Sequence, residues 1–260
     1  MKTVLITGAS SGIGKASALE FYRHGYAVSL LARRKDKLES LARELGGTST
    51  NVLVLPCDVT QRAEIDHAVR ETIRQFGRID ILINNAGAGL NSMFESTDPE
   101  AIRKVFEVNF MGVVHATQAV IPEMKARRRG QIINISSIAG RRAFPSRSIY
   151  GATKFALEGL SESLRVELAP FGIEVIVIRP TVTDTEFFDS EPQGKESVLS
   201  LGHKRMSPEK VARIIYRASE THKRSVNLSF PGKLVLTLNT LAPSFVDWVV
   251  GKVFTRLRNI

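Results

Sequence analysis

The sequence predicts an α/β protein: a parallel, doubly wound sheet with helices on both faces. Two observations carry the prediction. Near-continuous apolar and β-branched runs recur at 3–7, 27–32, 51–56, 79–84, 131–136 and 173–178, as expected of strands buried on both faces. The stretches between them carry apolar residues at helical spacing, and regular alternation of strand and helix implies parallel pairing through right-handed crossovers. In such a sheet a ligand lies beyond the carboxyl ends of the strands, so the residues that follow each strand carry the functional information.

The first run, Thr3 to Thr7, leads into Gly8-Ala9-Ser10-Ser11-Gly12-Ile13-Gly14 and a helical stretch to about His24. Residues without Cβ let a ligand approach the backbone, and the free N–H groups at a helix start favour an anion such as phosphate. Two other chemistries compete for this turn. A Walker A loop requires GxxxxGK[ST], whereas Gly8 and Gly14 enclose five residues and Lys15 is followed by Ala16. Gly8-Ala9-Ser10-Ser11-Gly12 does match GxSxG, the nucleophile elbow, which makes a serine hydrolase using Ser10 the minor alternative. That elbow draws oxyanion donors from a loop after an earlier strand, and almost nothing precedes the strand here.

The second strand ends Ala32-Arg33-Arg34. A site that reads an unphosphorylated adenosine ribose carries an acidic residue roughly 20 residues beyond the glycines; Ala32 stands there instead. Arg33 and Arg34 can neutralise a 2′-phosphate through charge-assisted bonds, which predicts NADP over NAD. After the third strand, Asp58 in Cys57-Asp58-Val59-Thr60 either binds a base edge or caps a helix beginning near Thr60. Asn84-Asn85-Ala86-Gly87-Ala88-Gly89 follows the fourth strand; its small residues allow close packing on a flat ligand, and its amides can cross-link strands.

A helix entered at Thr97-Asp98-Pro99 shows an apolar stripe from Ile102 to Met124 with Asn109 inside it. A buried amide needs partners, and by itself Asn109 reads as structural. Ser136-Ser137 ends the fifth strand, and a loop rich in Gly, Pro and Arg leads to Tyr150-Gly151-Ala152-Thr153-Lys154 on a helix. Tyr150 and Lys154 lie one turn apart on one face, where an ammonium favours the phenolate and suits Tyr150 to general acid–base work. The sixth strand runs into Pro180-Thr181-Val182-Thr183-Asp184-Thr185 and a polar stretch, 186–206, a candidate substrate lid. Ser207-Pro208 caps a further helix. The tail, 233–260, is apolar and less regular, interrupted by Asn239, Pro243 and Asp247 and flanked by Lys252, Arg256 and Arg258. Ordinary packing is favoured for it, with a subunit contact or peripheral membrane contact as alternatives.

Composition limits the partners. The 260 residues suit a single domain, and the net charge of +10 is dispersed in small clusters without a nucleic-acid motif, so no nucleic acid is expected. No run is long and apolar enough to span a membrane, and strand-forming residues begin at Thr3, leaving no room for a cleaved signal peptide; the expectation is a cytoplasmic protein. The sole cysteine, Cys57, lacks CxxC spacing, and the five histidines lack metal-ligand spacing, so no metal is expected.

Thr7-Gly8-x-x-x-Gly12-x-Gly14, Asn84-Asn85-Ala86-Gly87, Asn109, Ser137, and Tyr150-x-x-x-Lys154 thirteen residues after that serine together resemble the short-chain dehydrogenase/reductase family. The resemblance runs from about Thr3 to Ala212. It implies a single Rossmann-type domain with about seven parallel strands, the last near 225–230, and commonly a homodimer or homotetramer. It implies Tyr150 as the proton donor in carbonyl reduction, Lys154 as the group that tunes it and binds the nicotinamide ribose, Ser137 on the carbonyl oxygen, and Asn109 anchoring a water that relays protons. The turn Gly8, Ser10, Ser11, Gly12, Ile13 and Gly14 would hold the pyrophosphate, and Asp58 and Val59 the adenine. Asn85, Ala86 and Gly87 would lie along the adenosine-side ribose, with Pro180, Thr183 and Thr185 at the nicotinamide amide. The chain departs from the family pattern PGxVxT, with Thr181 and Thr183 at the glycine and valine positions. The expected function is an NADPH-dependent carbonyl reductase or alcohol dehydrogenase for a neutral, apolar substrate; a non-catalytic NADP-binding sensor on the same fold is the alternative.

Overall fold

The computed structural model describes residues 1–46, 51–184 and 205–258. Strands β1 (Thr3–Thr7), β2 (Ala27–Ala32), β3 (Val52–Pro56), β4 (Ile81–Asn84), β5 (Gly130–Ile135), β6 (Ile173–Arg179) and β7 (Ser225–Asn227) form one sheet in the order β3-β2-β1-β4-β5-β6-β7. Every pairing in it is parallel. The chain steps outward from β1 to β3 and then crosses to β4, so the crevice between the loops after β1 and β4 is the switch point at which such sheets bind ligands.

Alternation along β1 explains the layering. Val4 and Ile6 join the core that packs α1 (Gly12–Arg23), α2 (Lys35–Glu44) and α7 (Pro208–Glu220) onto one face. Leu5 joins the opposite core, beneath α3 (Arg62–Phe76), α5 (Gly112–Arg127) and α6 (Ser148–Leu168). Two buried faces account for the unbroken apolar runs.

The elements differ from expectation where side chains intervene. α3 begins at Arg62 because Asp58 Oδ1 accepts from both the Thr60 N–H at 3.0 Å and its hydroxyl at 2.9 Å, holding that segment in a turn. The helix expected through Asn109 is divided into α4 (Pro99–Phe106), a single wider π turn at Glu107–Met111, and α5. β7 stops at Asn227 because Ser229 Oγ accepts from the Gly232 N–H at 3.1 Å and caps α8 (Phe230–Leu241). The tail expected to be irregular is helical: Pro243 opens α9 (Pro243–Arg258) directly after α8. Most of the candidate lid lies outside the described residues; its last residue, Met206, is bound to the strand end, donating its N–H to Val182 O and accepting from Asp184, both at 3.0 Å.

Candidate active site

The turn after β1 is shaped by contacts as much as by its glycines. Gly8 and Gly12 have φ of +67° and +53°, which L side chains rarely adopt. A Cβ on Gly8 would lie 2.8 Å from Ala86 Cα. Asn85 draws the two loops together: its Nδ2 donates to Thr7 O at 3.0 Å and Gly8 O at 3.2 Å. Thr7 Oγ1 accepts from the N–H groups of Asn85 and Ala86. Gly14 does not line the cleft. A Cβ there would stand 2.2 Å from Gly8 O, so this glycine lets α1 pack under the turn.

Arg34 reaches back over the turn, its Nη2 donating to Ser10 Oγ at 3.1 Å and Ser11 Oγ at 2.9 Å. The hydroxyl that a hydrolase would use is therefore held by a guanidinium, which cannot accept a proton. Arg33 and Arg34, with Asp58 and Val59, line the same end of the cleft. Cys57 also lies there; burial pushes its thiol up to about 12, helped by the Glu64 and Asp58 carboxylates, leaving an unreactive packed residue.

Behind the cleft runs a ladder of buried amides. Asn84 Nδ2 donates to Asn134 Oδ1 at 2.9 Å and Thr117 Oγ1 at 3.1 Å, and Asn134 Nδ2 donates to Ser161 Oγ at 2.9 Å. It ties β4, β5, α5 and α6 together, as Asn84 led us to expect. Asn109, fully buried in the π turn, accepts from Ala88 N at 2.7 Å and donates to Ala88 O at 2.9 Å and Thr153 Oγ1 at 3.1 Å. Both of its donors are engaged, so the side chain braces the β4 loop against α6.

At the far end, α6 carries Tyr150, Lys154 and Glu158 on one face. Tyr150 sits in a small apolar cluster with Ile138, Phe144 and Val182. Lys154 Nζ lies 5.8 Å from the Tyr150 ring centroid and donates to Ile135 O at 3.0 Å. Burial pushes its pKa down to about 8, opposed by the Glu158 carboxylate. Glu158 is held in turn by Arg179 at the end of β6, whose Nε and Nη2 donate at 2.8 and 2.6 Å. Ser137 Oγ accepts from Ala139 N at 3.1 Å, which leaves its hydroxyl hydrogen free to be donated elsewhere.

A single cleft of about 410 Å³ brings these groups together, well within the range of a small-molecule site. It is lined by Gly8, Ser10, Ser11, Gly12, Ile13, Arg33, Arg34, Asp58, Val59, Asn85, Ala86 and Gly87, and by Ser137, Tyr150, Lys154, Pro180 and Thr183. Thr185 lies outside the described residues. Lys104, Val108 and the buried Arg147 also line it, and sequence reasoning passed over them. Arg147 stands three residues before Tyr150, at the N-cap of α6 and outside its helical spacing.

The family model for short chain dehydrogenase matches residues 2–196. The 3-dehydrosphinganine reductase of Danio rerio is 36% identical over 222 residues, covering 82% of this chain and 67% of that protein. A short-chain dehydrogenase from Streptomyces avermitilis superposes with a TM-score of 0.84 at 32% identity, covering 98% of each chain. An alcohol dehydrogenase from Thermococcus sibiricus, complexed with 5-hydroxy-NADP, superposes with a TM-score of 0.77 at 28% identity over 87% of this chain and 95% of that one.

Proposed function

The chain belongs to the short chain dehydrogenase family of oxidoreductases that use nicotinamide cofactors, and from that premise we propose that it is an NADPH-dependent reductase of apolar ketones. One observation carries the reading. Tyr150 and Lys154, more than 130 residues from the glycine turn in sequence, open into the same cleft as that turn.

The residues present fit a dinucleotide. Gly8 and Gly12 line the cleft with left-handed backbone, at the start of α1, where N–H groups and the helix dipole favour a pyrophosphate. Arg34, already seated on Ser10 and Ser11, and Arg33 beside it would hold a 2′-phosphate through charge-assisted bonds. Asp58 and Val59 would border the adenine; Asn85, Ala86 and Gly87 the ribose next to it; Pro180 and Thr183 the nicotinamide amide. A nicotinamide held there would supply the hydride needed at the carbonyl carbon.

The chain supplies alignment and a proton. Ser137 donates its hydroxyl hydrogen to the carbonyl oxygen, and Tyr150 transfers its phenolic proton to that same oxygen. The Lys154 ammonium favours the phenolate left behind. Asn109 is a positioning residue, fixing Ala88 against Thr153. The walls around Tyr150, built from Ile138, Phe144 and Val182, suit an apolar chain. The 3-dehydrosphinganine named for the zebrafish relative is therefore the first ketone to test.

The test is NADPH oxidation with a panel of long-chain and short ketones. Tyr150→Phe abolishes turnover while NADPH affinity stays within a few-fold of wild type. Turnover of the variant above about a tenth of wild type would exclude the mechanism, since general acid catalysis contributes about 10²–10⁴-fold. Binding of NADPH with no turnover of any ketone or alcohol would instead favour a cofactor sensor.

A further inference from the structure

We propose that α9 lays its outer face on an anionic phospholipid bilayer and holds the substrate end of the cleft at the membrane surface; the substrate half of this statement rests on the ketone reductase reading. The helix is apolar on two sides. Val246 and Val250 are buried against the protein. On the other side Phe245, Trp248 and Val249 are 53%, 56% and 37% exposed, with Leu241 at the preceding corner 76% exposed. Among the described residues none covers this face.

The exposed stripe is organised. Phe245 and Trp248 stack with ring centroids 6.0 Å apart, and Lys252 Nζ lies 4.3 Å from the Trp248 ring centroid. Residues 245, 248, 249, 252 and 256 follow helical spacing, so the apolar stripe continues into the exposed Lys252 and Arg256. Asp247 is the sole acidic residue between 230 and 258, and its Oδ1 accepts from Arg142 Nη1 at 2.6 Å. The face is therefore apolar and cationic, on a chain whose net charge is +10.

Charge chooses the occupant. A second copy meeting this face across a two-fold axis would set Lys252 and Arg256 in the same self-contacting patch as their counterparts. An anionic bilayer offers the opposite charge, and Trp and Phe rings beside Lys and Arg are the side chains that settle at its interface.

The position of the hairpin gives the contact a use. Arg142 Nη1 also donates to Asn239 Oδ1 at 3.0 Å, and Asn239 Nδ2 to Arg141 O at 3.4 Å. A Cβ on Gly232 would stand 3.4 Å from Ile138 and 3.6 Å from Thr181. α8 and α9 thus rest on the turn that follows Ser137 and on a wall of the cleft. A long-chain ketone leaving the bilayer would arrive beside Tyr150 without crossing water.

Trp248 is the only tryptophan in the chain, so its emission reports this face directly. Vesicles of phosphatidylcholine and phosphatidylserine in equal parts should shift the emission of the wild-type protein to the blue at low salt and carry the protein into the pellet. Phosphatidylcholine alone should do neither. Phe245→Ser/Trp248→Ser and Lys252→Glu/Arg256→Glu should each lower the sedimented fraction at least tenfold. On NADPH oxidation, both variants should match wild type with a short soluble ketone and fall behind it with a long-chain ketone carried in the mixed vesicles. No emission shift and no sedimentation of wild type would overturn the proposal. So would a wild-type dimer that Phe245→Ser/Trp248→Ser converts to monomer, with no vesicle binding. Vesicle binding requires no turnover, so failure of the reductase reading leaves the docking test intact, and unchanged turnover of the soluble ketone shows the reverse.

Discussion

Replacing Lys154 by Met should make the protein more resistant to unfolding at neutral pH relative to alkaline pH, while it removes the activity. Burial pushes the Lys154 ammonium from 10.5 down to about 8. Between these two values the unfolded chain binds a proton that the folded chain does not, so this group makes stability rise with pH across that window. Below about 8 both states carry the charge, and the folded state bears the full cost of burying it. From about pH 7.5 to about pH 10 the rise contributed by Lys154 amounts to about 2 kcal/mol. Met fills a similar volume and does not titrate. The stability of Lys154→Met relative to wild type should therefore fall by about 2 kcal/mol between those pH values, because only wild type gains. Loss of the hydrogen bond to Ile135 O adds a cost of about 1 to 3 kcal/mol that sets the offset and not the slope. Urea unfolding of both proteins without cofactor at the two pH values measures the difference, in which the other titrating groups largely cancel. A difference that stays constant to within about 0.5 kcal/mol would refute the claim that this ammonium is buried at a cost. The same depression sets the alkaline limb of reduction, with kcat/KM declining above about pH 8 as Lys154 loses its charge.

Arg34→Ala should weaken NADPH binding by about 1.5 to 3 kcal/mol and NADH binding much less, read by titration calorimetry; an unchanged preference between the two cofactors would remove the 2′-phosphate from this end of the cleft. Gly14→Ala places a methyl 2.2 Å from Gly8 O. It should cost about 1 to 3 kcal/mol in thermal stability and weaken both cofactors alike, and full affinity in the variant would show that the turn does not depend on this packing. Glu158→Gln deprives the buried Arg179 guanidinium of its carboxylate and should destabilise by about 3 to 5 kcal/mol. Because Glu158 is also the group opposing the depression of Lys154, the alkaline limb of activity should move to lower pH; an unmoved limb would uncouple the two.

Much of the fold and of the site was legible because it depends on local chemistry. The strand at Thr3–Thr7, the glycine turn that follows it, the basic pair at the end of β2 and the one-turn spacing of Tyr150 and Lys154 are each contained within a few residues. Other residues take partners that a local reading does not reach. Gly14 read as part of the ligand turn, yet its neighbours are Gly8 O and the Asn85 amide. Asn109 read as structural from its stripe and as a proton relay from the family resemblance; its side chain is committed to Ala88 and Thr153, an association no spacing in the sequence reveals.

The tail shows the division most clearly. Its sequence fixed neither its regularity nor its packing, since Asn239, Pro243 and Asp247 read as interruptions. In the structure Pro243 opens a helix, while Asn239 and Asp247 are both bound by Arg142, about 100 residues earlier in the chain. The sequence by itself determined that a dinucleotide-type turn and a Tyr–Lys pair exist, because backbone conformation and helical periodicity are local. Only the tertiary structure decided that they share one cleft, which side of α9 faces outward, and which partners the buried polar groups take, because burial and pairing arise from elements brought together across the whole sheet.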